Sequence, residues 1–187
     1  SRGLGDVYKR QLRKLFFEGK LSEGNRIAGD NLHGNQTSFG THLPIGDLKM
    51  QFIYPEGKVT GYRRSLSLDE AVSSVSFNSG GVNYKREYFA TNPDNVLVLR
   101  LTADKQKSIT MNMGLDLMRQ ADLSVEDNQL VFTGKVDFPL HGPGGVCFEG
   151  RIAVLADNGE VKMEQSGVGI KEADAVTLIV DVRTDYK

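Results

Sequence analysis

The sequence predicts an all-β fold, an antiparallel sandwich or barrel, entered through two short helices. Three observations support this. After Leu43 the apolar residues recur with period two instead of the helical period. About ten such runs follow one another at intervals of roughly 8 to 15 residues, with polar turns between them. No helical stretch intervenes that could serve as a crossover, which argues against alternating βαβ units.

The elements follow in order. From Gln11 onward Leu12, Leu15 and Phe16 share a helix face, with Arg13, Lys14 and Glu18 on the other. Gly19 stops that helix, and Ser22 with Glu23 opens a second that carries Ile27 and Ala28 toward Leu32. The expected helices are therefore 11–18 and 22–32. The stretch from His33 to His42 is rich in Gly, Asn, Thr and Ser and reads as a loop. In the first strand Leu48, Met50, Phe52 and Tyr54 alternate with Lys49, Gln51 and Ile53, giving one buried and one mixed face. Pro55-Glu56-Gly57-Lys58 is a turn. Strands at 62–68, 72–77 and 82–91 follow, the last two joined through Asn78-Ser79-Gly80-Gly81, whose residues suit positive φ. Residues 96–103 are nearly all apolar and are expected to be covered on both faces. Ile109, Met111, Met113, Leu115 and Leu117 alternate without a miss. Turns at Glu126-Asp127-Asn128 and Asp157-Asn158-Gly159 separate strands at 129–133, 151–155 and 160–165, and the last strand is 175–183.

Composition bounds the function. A chain of 187 residues makes one domain, or at most two small ones, and buries roughly 70% of its unfolded surface without disulfides or metal. The 23 basic and 24 acidic side chains leave a net charge of −1, which excludes the basic footprint of a dedicated nucleic-acid binder. No run approaches the ~18 apolar residues of a membrane span. Glycine makes up 21 of the 187 residues, about 11% against a usual ~7%, as a turn-rich fold requires. No repeat with a period of about 20 to 50 residues is present, so a propeller or solenoid is disfavoured.

No self-contained catalytic motif emerges. The glycines around Pro143 (Gly142, Gly144 and Gly145) lack the strand-to-helix setting of a phosphate loop and read as a turn. The single cysteine, Cys147, is expected to be buried and structural. His33, His42 and His141 are too dispersed to suggest a metal site, and no cofactor motif is present. Asp47, Glu87, Asp116 and Glu149 are carboxylates without a readable pairing, and Glu87 beside Lys85 reads as a strand-face ion pair. Tyr84, Tyr88 and Phe89 are either a sugar-stacking platform or, more ordinarily, strand packing. Thr41 and His42, in Phe39-Gly40-Thr41-His42-Leu43-Pro44, stand on a loop that a rigid sandwich could present to a polar ligand.

Taken in order, several segments have a further meaning. Leu12-Arg13-Lys14-Leu15-Phe16-Phe17-Glu18-Gly19-Lys20 precedes Thr41-His42-Leu43-Pro44-Ile45-Gly46-Asp47-Leu48. Tyr62-Arg63-Arg64-Ser65-Leu66-Ser67-Leu68-Asp69, Tyr84-Lys85-Arg86-Glu87-Tyr88-Phe89 and Pro93-Asp94-Asn95-Val96 come next. Ala173-Asp174-Ala175-Val176-Thr177-Leu178 and Thr184-Asp185-Tyr186 close the series. From Leu12 to Lys187 the chain resembles the N-terminal domain of glycoside hydrolase family 95, the inverting α-L-fucosidases. The resemblance implies an antiparallel β-supersandwich of two packed sheets, with residues 11–187 forming a partial N-terminal sandwich domain. It implies a parent enzyme acting on fucosylated oligosaccharides, with the catalytic residues on a following (α/α)6 barrel, and therefore none in this chain. It also implies a periplasmic or extracellular setting, and Thr41 and His42 as substrate-binding residues. Residues 1–10 do not match the family and are expected to be a non-native leader. Two other functions compete with this one: a stand-alone carbohydrate-binding sandwich, and a sandwich enzyme whose own strands carry a carboxylate pair in a cleft.

Overall fold

The computed structural model describes residues 2–32, 44–136, 145–165 and 167–186. The chain divides into two compact units, residues 1–43 and 44–187.

The first unit is a helical hairpin of α1 (Arg2–Phe17) and α2 (Leu21–Asn31). α1 starts well before Gln11 and runs through the residues that the sequence set apart as a leader. It ends as expected at Gly19, whose φ of +74° is the left-handed cap conformation. The Lys20 N–H donates to Leu15 O and the Gly19 N–H to Phe16 O, which together make a Schellman motif. The helices meet through Leu12, Leu15 and Ile27, with Tyr8 and Ala28 beside them. Gly24 lies so close to the Phe16 ring that a Cβ there would fall 2.4 Å from it, so a glycine allows this approach.

The second unit is the predicted antiparallel supersandwich. Among the described residues its strands are β1 (Gly46–Phe52), β2 (Thr60–Ser67), β3 (Val72–Ser79), β4 (Val82–Ala90), β5 (Leu97–Ala103), β6 (Ile109–Leu117), β7 (Ala121–Glu126), β8 (Gln129–Val136), β9 (Val146–Asp157), β10 (Glu160–Glu164), β11 (Gly167–Ala173) and β12 (Ala175–Thr184). They form a four-stranded sheet, β1-β6-β11-β10, and an eight-stranded sheet, β2-β3-β4-β5-β12-β9-β8-β7. One core joins them, with Met111 and Met113 of β6 and Ile170 of β11 packed among Leu101, Leu130, Ile152 and Leu178 of the large sheet. β7 and β11 were not foreseen. Residues 96–103 differ from expectation as well: Leu99 and Leu101 face the core, while Val98 and Arg100 on the other face are only half-buried.

Turn chemistry agrees with the sequence. β3 and β4 are joined by Gly80-Gly81 alone, with φ of +57° and +75°, the pattern of a type I′ hairpin. Asp127-Asn128 does the same between β7 and β8, with φ of +47° and +60°. Asn158-Gly159 looks like another hairpin, yet it joins β9 of the large sheet to β10 of the small one.

Three passages between the sheets are tied together by one side chain. They are the links β5–β6, β9–β10 and β11–β12. The carboxylate of Asp174, which lies between β11 and β12, accepts from Asn158 Nδ2 at 2.7 Å and from the Lys107 N–H at 2.6 Å. These bonds, Asn158 first and Lys107 second, lower the Asp174 pKa below its ordinary 3.8. A depressed native pKa means stabilisation that is present above the ordinary value and is lost as pH falls through the native one. Asp174→Asn is therefore expected to lower the midpoint of thermal unfolding by several degrees at neutral pH. The gap to the parent chain should close as pH drops below 3.8, and a gap constant with pH would overturn this account.

Candidate functional site

Thr41 and His42 lie outside the described residues, as do His33, His141 and the Gly142-Pro143-Gly144 segment. The other candidates can be placed. Tyr84 is buried at the end of the sandwich with Phe77, Val82 and Tyr54, and its hydroxyl donates to Ser108 O at 3.3 Å. Tyr88 packs on the main core, whereas Phe89 points to the opposite face of β4 by strand alternation. These rings therefore form no platform, and their ordinary packing role holds. Burial raises the pKa of both Tyr54 and Tyr84, as expected of phenols held away from water.

Each carboxylate singled out in the sequence is tied to a neighbouring cation. Glu87 meets Lys85 Nζ at 2.8 Å, the predicted strand-face pair. Glu149 accepts from Arg151 Nε at 2.6 Å. Asp47 and Asp116 stand directly opposite each other across β1 and β6, which sequence spacing could not reveal. Lys49 Nζ lies 2.9 Å from Asp116 and 3.9 Å from Asp47, and the Asp116 hydrogen bond is the main reason its pKa is raised. All three side chains are more than half exposed, so a solvated lysine neutralises the pair and no cleft encloses it. Such an arrangement lacks the shielded acid that glycoside hydrolysis needs.

Cys147 is exposed, contrary to the expectation of burial. The pleat explains the reversal. Phe148 turns into the core, so its neighbour must face outward. Cys147 lines an open groove of about 640 Å³ on the outer face of the large sheet. Register assembles the floor: Asp122 is opposite Thr133, Thr133 opposite Glu149, and Glu149 opposite Arg183. Beyond β12, Asp185 continues the ladder by accepting the Cys147 N–H at 2.9 Å. The groove offers hydroxyl, carboxylate and guanidinium groups to a polar ligand. Sequence reasoning missed it because its residues come from strands far apart in the chain. Among the described residues no three His, Cys, Asp or Glu side chains gather to hold a metal ion. No described helix is long and apolar enough to cross a membrane.

Two packed antiparallel sheets, with a polar groove on the larger one, place the second unit in the class of β-sandwich domains. Comparison with known proteins is more specific. The profile of the glycosyl hydrolase family 65 N-terminal domain matches residues 9–187, and the chain belongs to that family. "Alpha-L-fucosidase 2" of Arabidopsis thaliana is 25% identical over 197 residues, covering 89% of this chain and 23% of that protein. "Probable alpha-fucosidase A" of Aspergillus niger is 30% identical over 162 residues, covering 83% of this chain and 20% of that protein. The solved structure named "Putative kojibiose phosphorylase from human microbiome" superposes with a TM-score of 0.50 at 13% identity. It covers 73% of this chain and 22% of that one, and at this identity the likeness concerns fold alone. The chain thus spans only 20–23% of the length of these two curated relatives.

Proposed function

We infer that the chain is the N-terminal sandwich of an α-L-fucosidase of the family 95 type, and that it packs on an (α/α)6 barrel bearing the catalytic residues. The observation that carries this is the match, over most of the chain, to about a fifth of two proteins with fucosidase names. The pairing of Asp47, Glu87, Asp116 and Glu149 with neighbouring cations supports a non-catalytic role for the sandwich itself. The substrate class is then a fucosylated oligosaccharide, and Thr41 and His42 contribute to its binding. The setting is periplasmic or extracellular.

An assay with an aryl α-L-fucoside tests this. The 187-residue chain alone should give no turnover. A longer polypeptide that includes the helical domain should hydrolyse the fucoside with inversion, and His42→Ala in it should raise KM more than it lowers kcat. Turnover by the isolated chain would place catalytic groups within it and overturn the assignment. A longer polypeptide that leaves fucosides intact and cleaves another glycoside would overturn the substrate class.

A further inference from the structure

Asn158 and Gly159 form the only Asn-Gly step in the sequence, and the fold requires both residues. Asn158 has φ +58° and Gly159 φ +76°, in the left-handed region that asparagine tolerates and glycine enters freely. A Cβ at position 159 would lie 2.6 Å from Lys171 O and 2.7 Å from Ala173 N, so no side chain fits there. At position 158 the side-chain amide is the donor that reaches Asp174, at 2.7 Å. The passage from β9 to β10 is thus built on a thermolabile amide, and the glycine that follows leaves its backbone nitrogen unshielded.

The same turn holds what the chemistry of that amide needs. Asn158 and Gly159 are exposed, so water reaches both. Among the described residues the Gly159 N–H has no acceptor, which leaves its nitrogen free to react. One restraint opposes the reaction. Asp174 holds Asn158 Nδ2, and Asp174 is itself fixed by the Lys107 N–H at 2.6 Å and by its own N–H, which donates to Asp157 O at 2.9 Å. Because Nδ2 is the group that must be expelled, the bond to Asp174 has to break first.

The geometry points to Asn158 as a site of spontaneous covalent modification in the folded chain, gated by the Asp174 carboxylate. The Gly159 backbone nitrogen gives up its proton and attacks Asn158 Cγ. A C–N bond forms, the Cγ–Nδ2 bond breaks, and Nδ2 departs as ammonia with that proton, leaving a five-membered succinimide. Water then opens the ring at either carbonyl, giving aspartate or isoaspartate. Either product puts a carboxylate in place of the donor beside Asp174, and the clasp becomes a like-charge contact. Isoaspartate also inserts a methylene into the main chain of the passage. The three passages between the sheets that Asp174 ties together are then released by a reaction confined to one turn.

The test is incubation of the intact chain in heavy-oxygen water at mildly alkaline pH, with each asparagine followed by peptide mass mapping. Asn158 should convert ahead of Asn78, whose neighbour Ser79 carries a side chain, and should take up one heavy oxygen per event. Asp174→Ala removes the acceptor and should speed conversion at Asn158 about tenfold, the factor for losing one hydrogen bond to a charged group, while leaving Asn78 unchanged. Equal rates at Asn158 in the two chains, or the same acceleration at Asn78, would overturn the gate. Asn158 staying intact under conditions that convert it in the urea-unfolded chain would overturn the site. The consequence is read separately. Asn158→Asp should lower the midpoint of thermal unfolding by several degrees at neutral pH. Asp174→Asn in that background should restore it, because the amide at 174 then donates to the carboxylate at 158 while its oxygen still accepts the Lys107 N–H. A double variant no more stable than Asn158→Asp alone would overturn the release of the clasp.

Discussion

Met111→Ala is expected to destabilise the sandwich by about 2–5 kcal/mol, the range for removing a fully buried methionine side chain. Met111 is 0% exposed. It sits on β6, the strand between β1 and β11, directly opposite Phe52 on one side and Ile170 on the other. Its side chain reaches across to the large sheet, so the void left by alanine would open where two sheets and three strands converge. Collapse would require both sheets to shift, which favours the upper part of the range. With domains stable by only about 5–15 kcal/mol, such a loss is a large fraction of the whole. Met111→Leu keeps the volume nearly constant and should cost less than about 1.5 kcal/mol. Met118→Ala, at an exposed position just beyond β6, should stay within about 0.5 kcal/mol. Urea titrations of the three variants provide the measurement, and equal losses at Met111 and Met118 would contradict the packing described.

Gly150→Ala should destabilise by about 1–3 kcal/mol although it adds a single methyl group. A Cβ at this position would fall 1.9 Å from Phe132 Cζ and 2.4 Å from two further ring atoms. The ring cannot simply swing away, because Phe132 is buried within the main core. The arrangement is reciprocal. Phe132 is opposite Gly150 and Gly134 is opposite Phe148, so each phenylalanine lies across the glycine of the other strand. At Gly134 a Cβ would meet Phe148 Cζ at 2.5 Å and Gln120 O at 2.6 Å. The aromatic rings thus occupy the space that side chains at the glycines would fill, a device that compensates for glycine's weakness in a strand. A double-mutant cycle isolates it. Phe132→Leu shortens the ring side chain and frees room, so Gly150→Ala should cost less in that background. The expected coupling is about 0.5–3 kcal/mol, and strictly additive losses would show that the ring does not hold the glycine.

The strands that the sequence reveals are those whose two faces differ sharply. β6 matches its predicted span because five apolar residues in alternation have no other economical explanation. β11 was missed for the opposite reason. Ile170 and Ala173 both face inward although three residues apart, because Glu172 (φ +55°) forms a bulge there against β6. The bulge breaks the period of two that betrays a strand. β7 is a six-residue edge strand, and its few apolar residues gave too short a pattern to stand out. The groove beside Cys147 was illegible on other grounds: no local pattern brings Asp122, Glu149 and Arg183 onto one face.

By itself the sequence determined the all-β class, the helix stop at Gly19, the glycine hairpin after β3 and the inward face of most strands. These depend on backbone dihedrals and side-chain alternation, which are properties of neighbouring residues. Tertiary structure alone decided which strands pair, and at what register. It made Asn158-Gly159 a passage between sheets, and placed Phe-Thr-Gly at 132–134 against Phe-Glu-Gly at 148–150 in reciprocal contact. The physical reason is that pairing is chosen by competition among distant segments for the same hydrogen bonds and the same core. A local period records that a residue will face inward, but not what it will find there.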